Sequence, residues 1–141
     1  MSASEILKKF GDRVGYSESD LEKFRDNDPR VRHMEKMAAA FAVYSIEAEV
    51  VESRHCNSGY KVGGKFVLDA DGNFITKLCP KKMCVYAVSQ LAVPVALINE
   101  RLSESLDPQE FHFMHQVRCL DVGVDCSGYG GIRLKVSAVQ R

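Results

Sequence analysis

Residues 28–43 read DPRVRHMEKMAAAFAV and residues 44–50 follow at once as YSIEAEV. The change of period between the two stretches decides the fold class. Asp26-Asn27-Asp28-Pro29 is a helix-start signal, a capping carboxylate or amide followed by a proline preset for the first turn. Beyond it Val31, Met34, Met37, Ala38 and Phe41 recur at helical spacing, which predicts an amphipathic helix over 29–43. Ile46, Ala48 and Val50 then alternate with Glu47 and Glu49, the pattern of a strand with one wet face.

Towards the N-terminus, Ser2 and Glu5 have capping-box spacing, and Ile6, Leu7 and Phe10 form an apolar face before Gly11. A second short helix is expected from Ser17 or Ser19, with Leu21 and Phe24 three apart. Residues 1–43 therefore form a helical segment, and it carries no cysteine.

Towards the C-terminus, a turn-rich stretch from His55 to Gly59 precedes an expected strand from Lys65 to Leu68. Asp71-Gly72 is a hairpin signal with Phe74 to Thr76 as the return strand. Leu78-Cys79-Pro80-Lys81-Lys82 leads into a long helical pattern holding Met83, Ala87, Leu91, Val95, Ile98 and Leu102. Pro94 lies inside it, so a kink or two abutting helices are expected. Phe111, Phe113 and then His115 and Val117 alternate towards Cys119, and Ile132, Leu134 and Val136 alternate at the end. A glycine-rich loop, Asp121 to Gly131, separates these last two strands. The reading is a single α+β domain, residues 1–141. N-terminal helices precede a cysteine-containing core over 44–141, with a mostly antiparallel sheet of about five strands and one long kinked helix.

The chain of 141 residues needs no disulfide or metal merely to fold. Its 45% hydrophobic and 27% charged residues argue against intrinsic disorder. Lysine plus arginine equals aspartate plus glutamate at 19 each, and a split after His55 gives 9 against 11 and then 10 against 8. Neither half has the basic excess of a nucleic-acid or anionic-membrane footprint, so neither partner is expected. The first residues lack a secretory pattern, and the longest apolar runs are far short of the ~20 residues that span a bilayer. A cytoplasmic location is the expectation. Five cysteines, an odd number, then read as thiols or metal ligands rather than a disulfide scaffold.

Chemistry is expected around those sulfurs. Pro80 at a first helical position would set Cys79 at the N-cap, where unpaired backbone N–H groups favour negative charge, with two lysines adjacent. Such a thiol is a nucleophile or a metal ligand in waiting; the plainer alternative is a small buried residue. Cys79 and Cys84 have the C-x4-C spacing found in zinc sites, but a lone pair is a weak signal, and Cys84 is expected in the core. Cys56, Cys79 and Cys119 all fall at element ends where a sheet could gather them, and Cys126 or His55 could complete the set. Thiolates with an imidazole suit zinc or an iron–sulfur centre. The spacings match no standard finger or ferredoxin, so unrelated thiols remain an alternative. His33 is expected to face solvent, and His112 and His115 to be a surface group and a satisfied half-buried one. Neither glycine cluster, Gly63-Gly64 nor Gly128 to Gly131, has phosphate-loop context.

Taken together, Cys56-Asn57-Ser58-Gly59-Tyr60-Lys61-Val62-Gly63-Gly64-Lys65-Phe66, then Leu78-Cys79-Pro80, then Arg118-Cys119-Leu120-Asp121 resemble a known family. It comprises short, functionally uncharacterised bacterial and archaeal proteins, frequent in anaerobes, with C-x-x-G-x-x-V-G-x-x-F, C-P and C-x-D motifs. The resemblance covers about Ile46 to Val136, and Tyr60 and Gly64 stand where histidine and aspartate are expected. It implies that Cys56, Cys79 and Cys119 belong together, and it supplies no reaction.

Three functional readings follow. One is a metal- or cluster-binding protein, an accessory to a larger enzyme of anaerobic redox metabolism, ligated by Cys56, Cys79 and Cys119 with Cys126 or His55. Another is a thiol enzyme with Cys79 as nucleophile. The third is a non-catalytic oligomerisation or partner-binding module, a homodimer being the default assembly.

Overall fold

A computed structural model describes all 141 residues. Its elements are α1 (Ala3–Val14), α2 (Glu18–Glu22), α3 (Pro29–Val43), β1 (Tyr44–Arg54), β2 (Lys65–Asp69), α4 (Val85–Val88), α5 (Ala92–Ser103), β3 (Gln116–Arg118) and β4 (Gly131–Gln140). The fold is α+β, with one sheet of four strands in the order β2-β1-β4-β3, every pair antiparallel.

The helix starts follow their side chains. Ser2 accepts from the Glu5 N–H, and Ser17 with Asp20 forms a reciprocal capping box. Gly11 lies within α1; the helix stops at Gly15, whose φ of 88° supplies the left-handed turn. Asp28 caps α3 most thoroughly. Its carboxylate accepts from the N–H groups of Arg25 (3.2 Å) and Arg30 (3.0 Å) and from the Arg30 guanidinium (3.1 and 2.8 Å).

The helix-to-strand switch at Val43–Tyr44 places α3 directly before the central strand. Ile46, Ala48 and Val50 of β1, Phe66 and Leu68 of β2, and Ile132, Leu134, Val136 and Ala138 of β4 are all buried. Met37 and Ala40 of α3 and Ala87, Leu91, Ile98 and Leu102 of the later helices complete that core. The opposite sheet face is charged: Lys65 pairs with Glu47 at 3.1 Å, and Glu52 faces Arg118 and Arg133 at 3.5 Å each. Helices cover one face and water the other, which is why β1 alternates so cleanly. No helix is long and apolar enough to cross a membrane.

Three expectations change. The sheet has four strands, not five, because Phe74 to Thr76 makes only one bridge, Leu68 to Phe74, before the chain curls into a 3₁₀ turn at Thr76–Leu78. The strand towards Cys119 is only three residues long; His112 and His115 lie before it, where the His115 ring meets the His112 carbonyl across a turn. The long helical pattern divides, as expected, into abutting helices: α4 and α5 are joined by a 3₁₀ segment at Ser89–Leu91, with Pro94 at the third position of α5. His33, expected to face solvent, is half-buried and bonds to Ser103.

Hydrogen bonds from the Arg30 side chain and backbone hold the Asp28 carboxyl far below the usual carboxylate range. Its stabilising effect is complete above the unfolded value of about 4 and is lost as pH falls through the lower folded value. Asp28→Asn is therefore expected to lower the melting temperature at pH 7. It should also lose less further stability than the parent between about pH 4 and pH 2, where the unfolded parent chain takes up a proton at Asp28 that the folded chain does not. Calorimetry across that window checks both halves.

Candidate functional site

Four chain segments meet at one end of the sheet. β1 leaves it at Arg54, paired with Gly131 where β4 enters, and β3 ends there at Arg118. The start of α4 lies against the same end, because the Leu120 N–H donates to the Tyr86 carbonyl at 3.2 Å. Between them is a cleft of about 860 Å³, within the range of small-molecule sites. Cys56, Cys84 and Cys119 all line it, together with His55, Tyr60 and Asp121.

Each sulfur arrives by a different device. His55 has φ 54°, a left-handed conformation uncommon for a residue with a side chain, and this turn after β1 leads into Cys56. Cys119 follows β3 and continues the ladder to Ile132 (Cys119 N–H to carbonyl, 3.1 Å; Ile132 N–H to Cys119 Sγ, 3.4 Å). Gly131 makes room for that sulfur, since a Cβ there would stand 2.5 Å from Cys119 Sγ. Gly130 is needed for a similar reason, since its Cβ would overlap the backbone of Arg54 and His55. Two glycines of the cluster that lacks phosphate-loop context thus permit close approach at the cleft.

Cys84, expected in the core, occupies the N-cap of α4. The segment Pro80 to Met83 is not helical, so the helix opens five residues later than Pro80 suggests. Cys79 instead ends the 3₁₀ turn with extended backbone. Its sulfur lies against the edge of β2, accepting from the Val67 N–H and donating to the Val67 carbonyl, both at 3.3 Å. Cys79 thus continues the sheet edge where a return strand was expected, and it does not line the cleft. Cys126 is exposed in a 3₁₀ turn at Val124–Cys126 and also lies outside the cleft lining. The sulfurs that share a site are therefore Cys56, Cys84 and Cys119. As the side chains stand, no three His, Cys, Asp or Glu groups converge on one point for an ion.

Burial pushes the Cys84 thiol up. The Ser58 hydroxyl and the N–H groups of Tyr86 and Ala87 outweigh it, and the net position is below the ordinary thiol range. Those N–H groups lie beyond strict hydrogen-bond geometry, so they act on the sulfur as oriented dipoles rather than as a formed cap. Tyr60, buried beside Phe66 in an edge-to-face contact, fixes the approach to this cap. Its hydroxyl accepts from the Cys84 N–H at 2.8 Å and donates to the Lys82 carbonyl at 2.7 Å. Burial, and the charge that Cys84 and Cys56 place beside it, hold the Tyr60 phenol above its usual range.

Asp121 organises the far wall. One carboxylate oxygen accepts from the N–H groups of Gly123 (2.9 Å), Tyr129 (2.9 Å) and Gly130 (3.1 Å), which keeps its carboxyl below the usual range. The aspartate of the C-x-D motif is thus a loop organiser. The sequence pattern assigned Cys84 to the core and gave Tyr60 no role; an aromatic residue five positions before the start of a strand carries no chemical signature. No family model, curated protein or solved structure matches the chain.

Tyr60→Phe removes both of those bonds while keeping the ring. Leaving the Cys84 N–H and Lys82 carbonyl without their partner is expected to destabilise the fold by about 1–3 kcal/mol. It should also raise the pH midpoint of Cys84 alkylation, as the helix start swings away from Ser58. Urea denaturation and a pH–rate profile read the two effects separately.

Proposed function

We propose that the cleft is the site of a thiol-dependent activity in which Cys84 is the reactive sulfur and Cys56 and Cys119 are accessory thiols. The observation that carries the reading is the shared cleft. Three cysteines from segments far apart in the chain line one hollow, and the one at the helix start has its thiol acidity raised by its surroundings. A thiolate is the nucleophile in such sites, and a partly formed one near neutral pH combines availability with reactivity. The nucleophile is placed at Cys84 rather than Cys79 because Cys79 is held at the edge of β2.

The simplest reaction of this arrangement is attack on the sulfur of a small disulfide. The Cys84 sulfur forms a new S–S bond, the substrate's own S–S bond breaks, and its second sulfur leaves as a thiolate. No further oxidant or reductant enters that step.

A second reading, a zinc or iron–sulfur centre serving a larger redox enzyme, is favoured by one feature: the three sulfurs and His55 around the hollow form a soft donor set. It requires the side chains to rotate onto a common point.

Alkylation with iodoacetamide, followed by peptide mapping, tests the first reading. Across a pH series Cys84 is expected to show the lowest midpoint of the five thiols, below that of a small-molecule thiol in the same buffer. Cys84→Ser should abolish that phase. A lowest midpoint at Cys79 or Cys126 would contradict the assignment. Elemental analysis of protein prepared without oxygen separates the second reading: one zinc or a full iron complement per chain, lost in Cys84→Ser and Cys119→Ser, would favour it.

A further inference from the structure

The rim of the cleft carries more apolar surface than its floor requires. Tyr86 is 62% exposed and Tyr129 is 80% exposed, and both line the hollow. Neither ring stacks on another aromatic group, and neither hydroxyl makes a hydrogen bond within the chain. Their backbones nevertheless hold fixed positions on either side of one short segment. The Tyr86 carbonyl accepts from the Leu120 N–H, and the Tyr129 N–H donates to the next residue, Asp121. Val85, beside Cys84 in sequence, is also 62% exposed on the same lining.

The ionic groups of the lining are few. Lys82 and Asp121 offset one another, and His55 is the only other titratable side chain there apart from the thiols and tyrosines. Large exposed aromatic rings without partners mark a recognition surface. A concave hollow of this size encloses a small molecule rather than a flat protein face. With Lys82 and Asp121 offsetting one another and the Cys84 thiolate adding negative charge, the lining disfavours an anionic ligand.

Building on the thiol reading of Cys84, we propose that the cleft selects a small uncharged disulfide bearing a flat aromatic ring, held by Tyr86 and Tyr129 while its sulfur meets Cys84. The Cys84 sulfur bonds to one sulfur of the ligand, the ligand's S–S bond breaks, and the aromatic thiolate departs. The rings act by positioning; offset or edge-on ring contacts of the kind proteins use between aromatic side chains supply the selection.

The test compares 2,2′-dipyridyl disulfide, which is neutral and aromatic, with 2-hydroxyethyl disulfide, which is neutral and aliphatic. Rates are measured on the full chain under single-turnover conditions, and the modified sulfur is mapped. N-acetylcysteine in the same buffer supplies the intrinsic preference of an unhindered thiol. The protein is expected to favour the aromatic disulfide at least about fivefold more than N-acetylcysteine does, a margin of the size of one ring contact. Tyr86→Ala with Tyr129→Ala should remove that margin, while the two phenylalanine variants retain it. Both residues are mostly exposed, so these variants keep the core intact. A preference no greater than that of N-acetylcysteine, with Cys84 still the mapped sulfur, overturns the selection by the rings alone. Modification mapped first to another cysteine overturns both the ligand proposal and the thiol reading beneath it.

Discussion

The antiparallel ladder between β1 and β4 is the constraint on which the molecule depends. It runs from Tyr44–Gln140 to Arg54–Gly131, with one register shift between Val50 and Glu52. Its inward residues, among them Ile46, Ala48, Val50, Leu134 and Val136, have almost no exposed surface. A slip of one residue would turn that entire set towards the charged face, so burial fixes the register. The same register sets Arg54 opposite Gly131 and thereby brings residues separated by some 75 positions to one end of the sheet. The cleft exists because the core does.

Around that fixed end, the site is assembled from single contacts rather than from a second core. Tyr60 holds the start of α4, Leu120 ties α4 to the segment after β3, and Asp121 gathers the N–H groups of the following loop. Gly130 and Gly131 allow these pieces to approach the backbone of β1 and the sulfur of Cys119. The ladder and the pinned segments fix the backbone positions from which these cysteines are presented. The division also separates two kinds of cysteine. Cys79 completes a sheet edge, whereas Cys84 faces a hollow that a ligand can enter.

Most of the fold was legible because its strongest signals are local. The Asp28-Pro29 start, the 29–43 apolar spacing and the alternation from Ile46 to Val50 each describe one element, and burial on one face enforces them. What sequence spacing concealed was where helical geometry begins after Cys79. A proline can open a helix or merely stiffen a turn, and here the 3₁₀ turn at Thr76–Leu78 and the bond from Tyr60 to Cys84 shift the start to Val85. That contact spans 24 residues, and no local pattern announces it. A cysteine does stand at a helix start, but it is Cys84 rather than Cys79. Cys56 and Cys119 were readable because each sits just beyond the end of a strand. Short strands were over-read for the converse reason: Phe74 to Thr76 has strand-like residues and Ile75 does bond the Val67 carbonyl, yet the chain curls away at Thr76 and the Val67 N–H meets the Cys79 sulfur instead.

Cys56, Cys84 and Cys119 line one hollow while Cys79 and Cys126 stand apart, and a short bifunctional thiol reagent tests that grouping most directly. Dibromobimane fluoresces once both of its arms have reacted with thiols. Treated at low protein concentration and digested, the folded chain is predicted to yield cross-linked peptides drawn from Cys56, Cys84 and Cys119. A dominant cross-link joining Cys79 to Cys56 or Cys119, with Cys84 left single, would contradict the account.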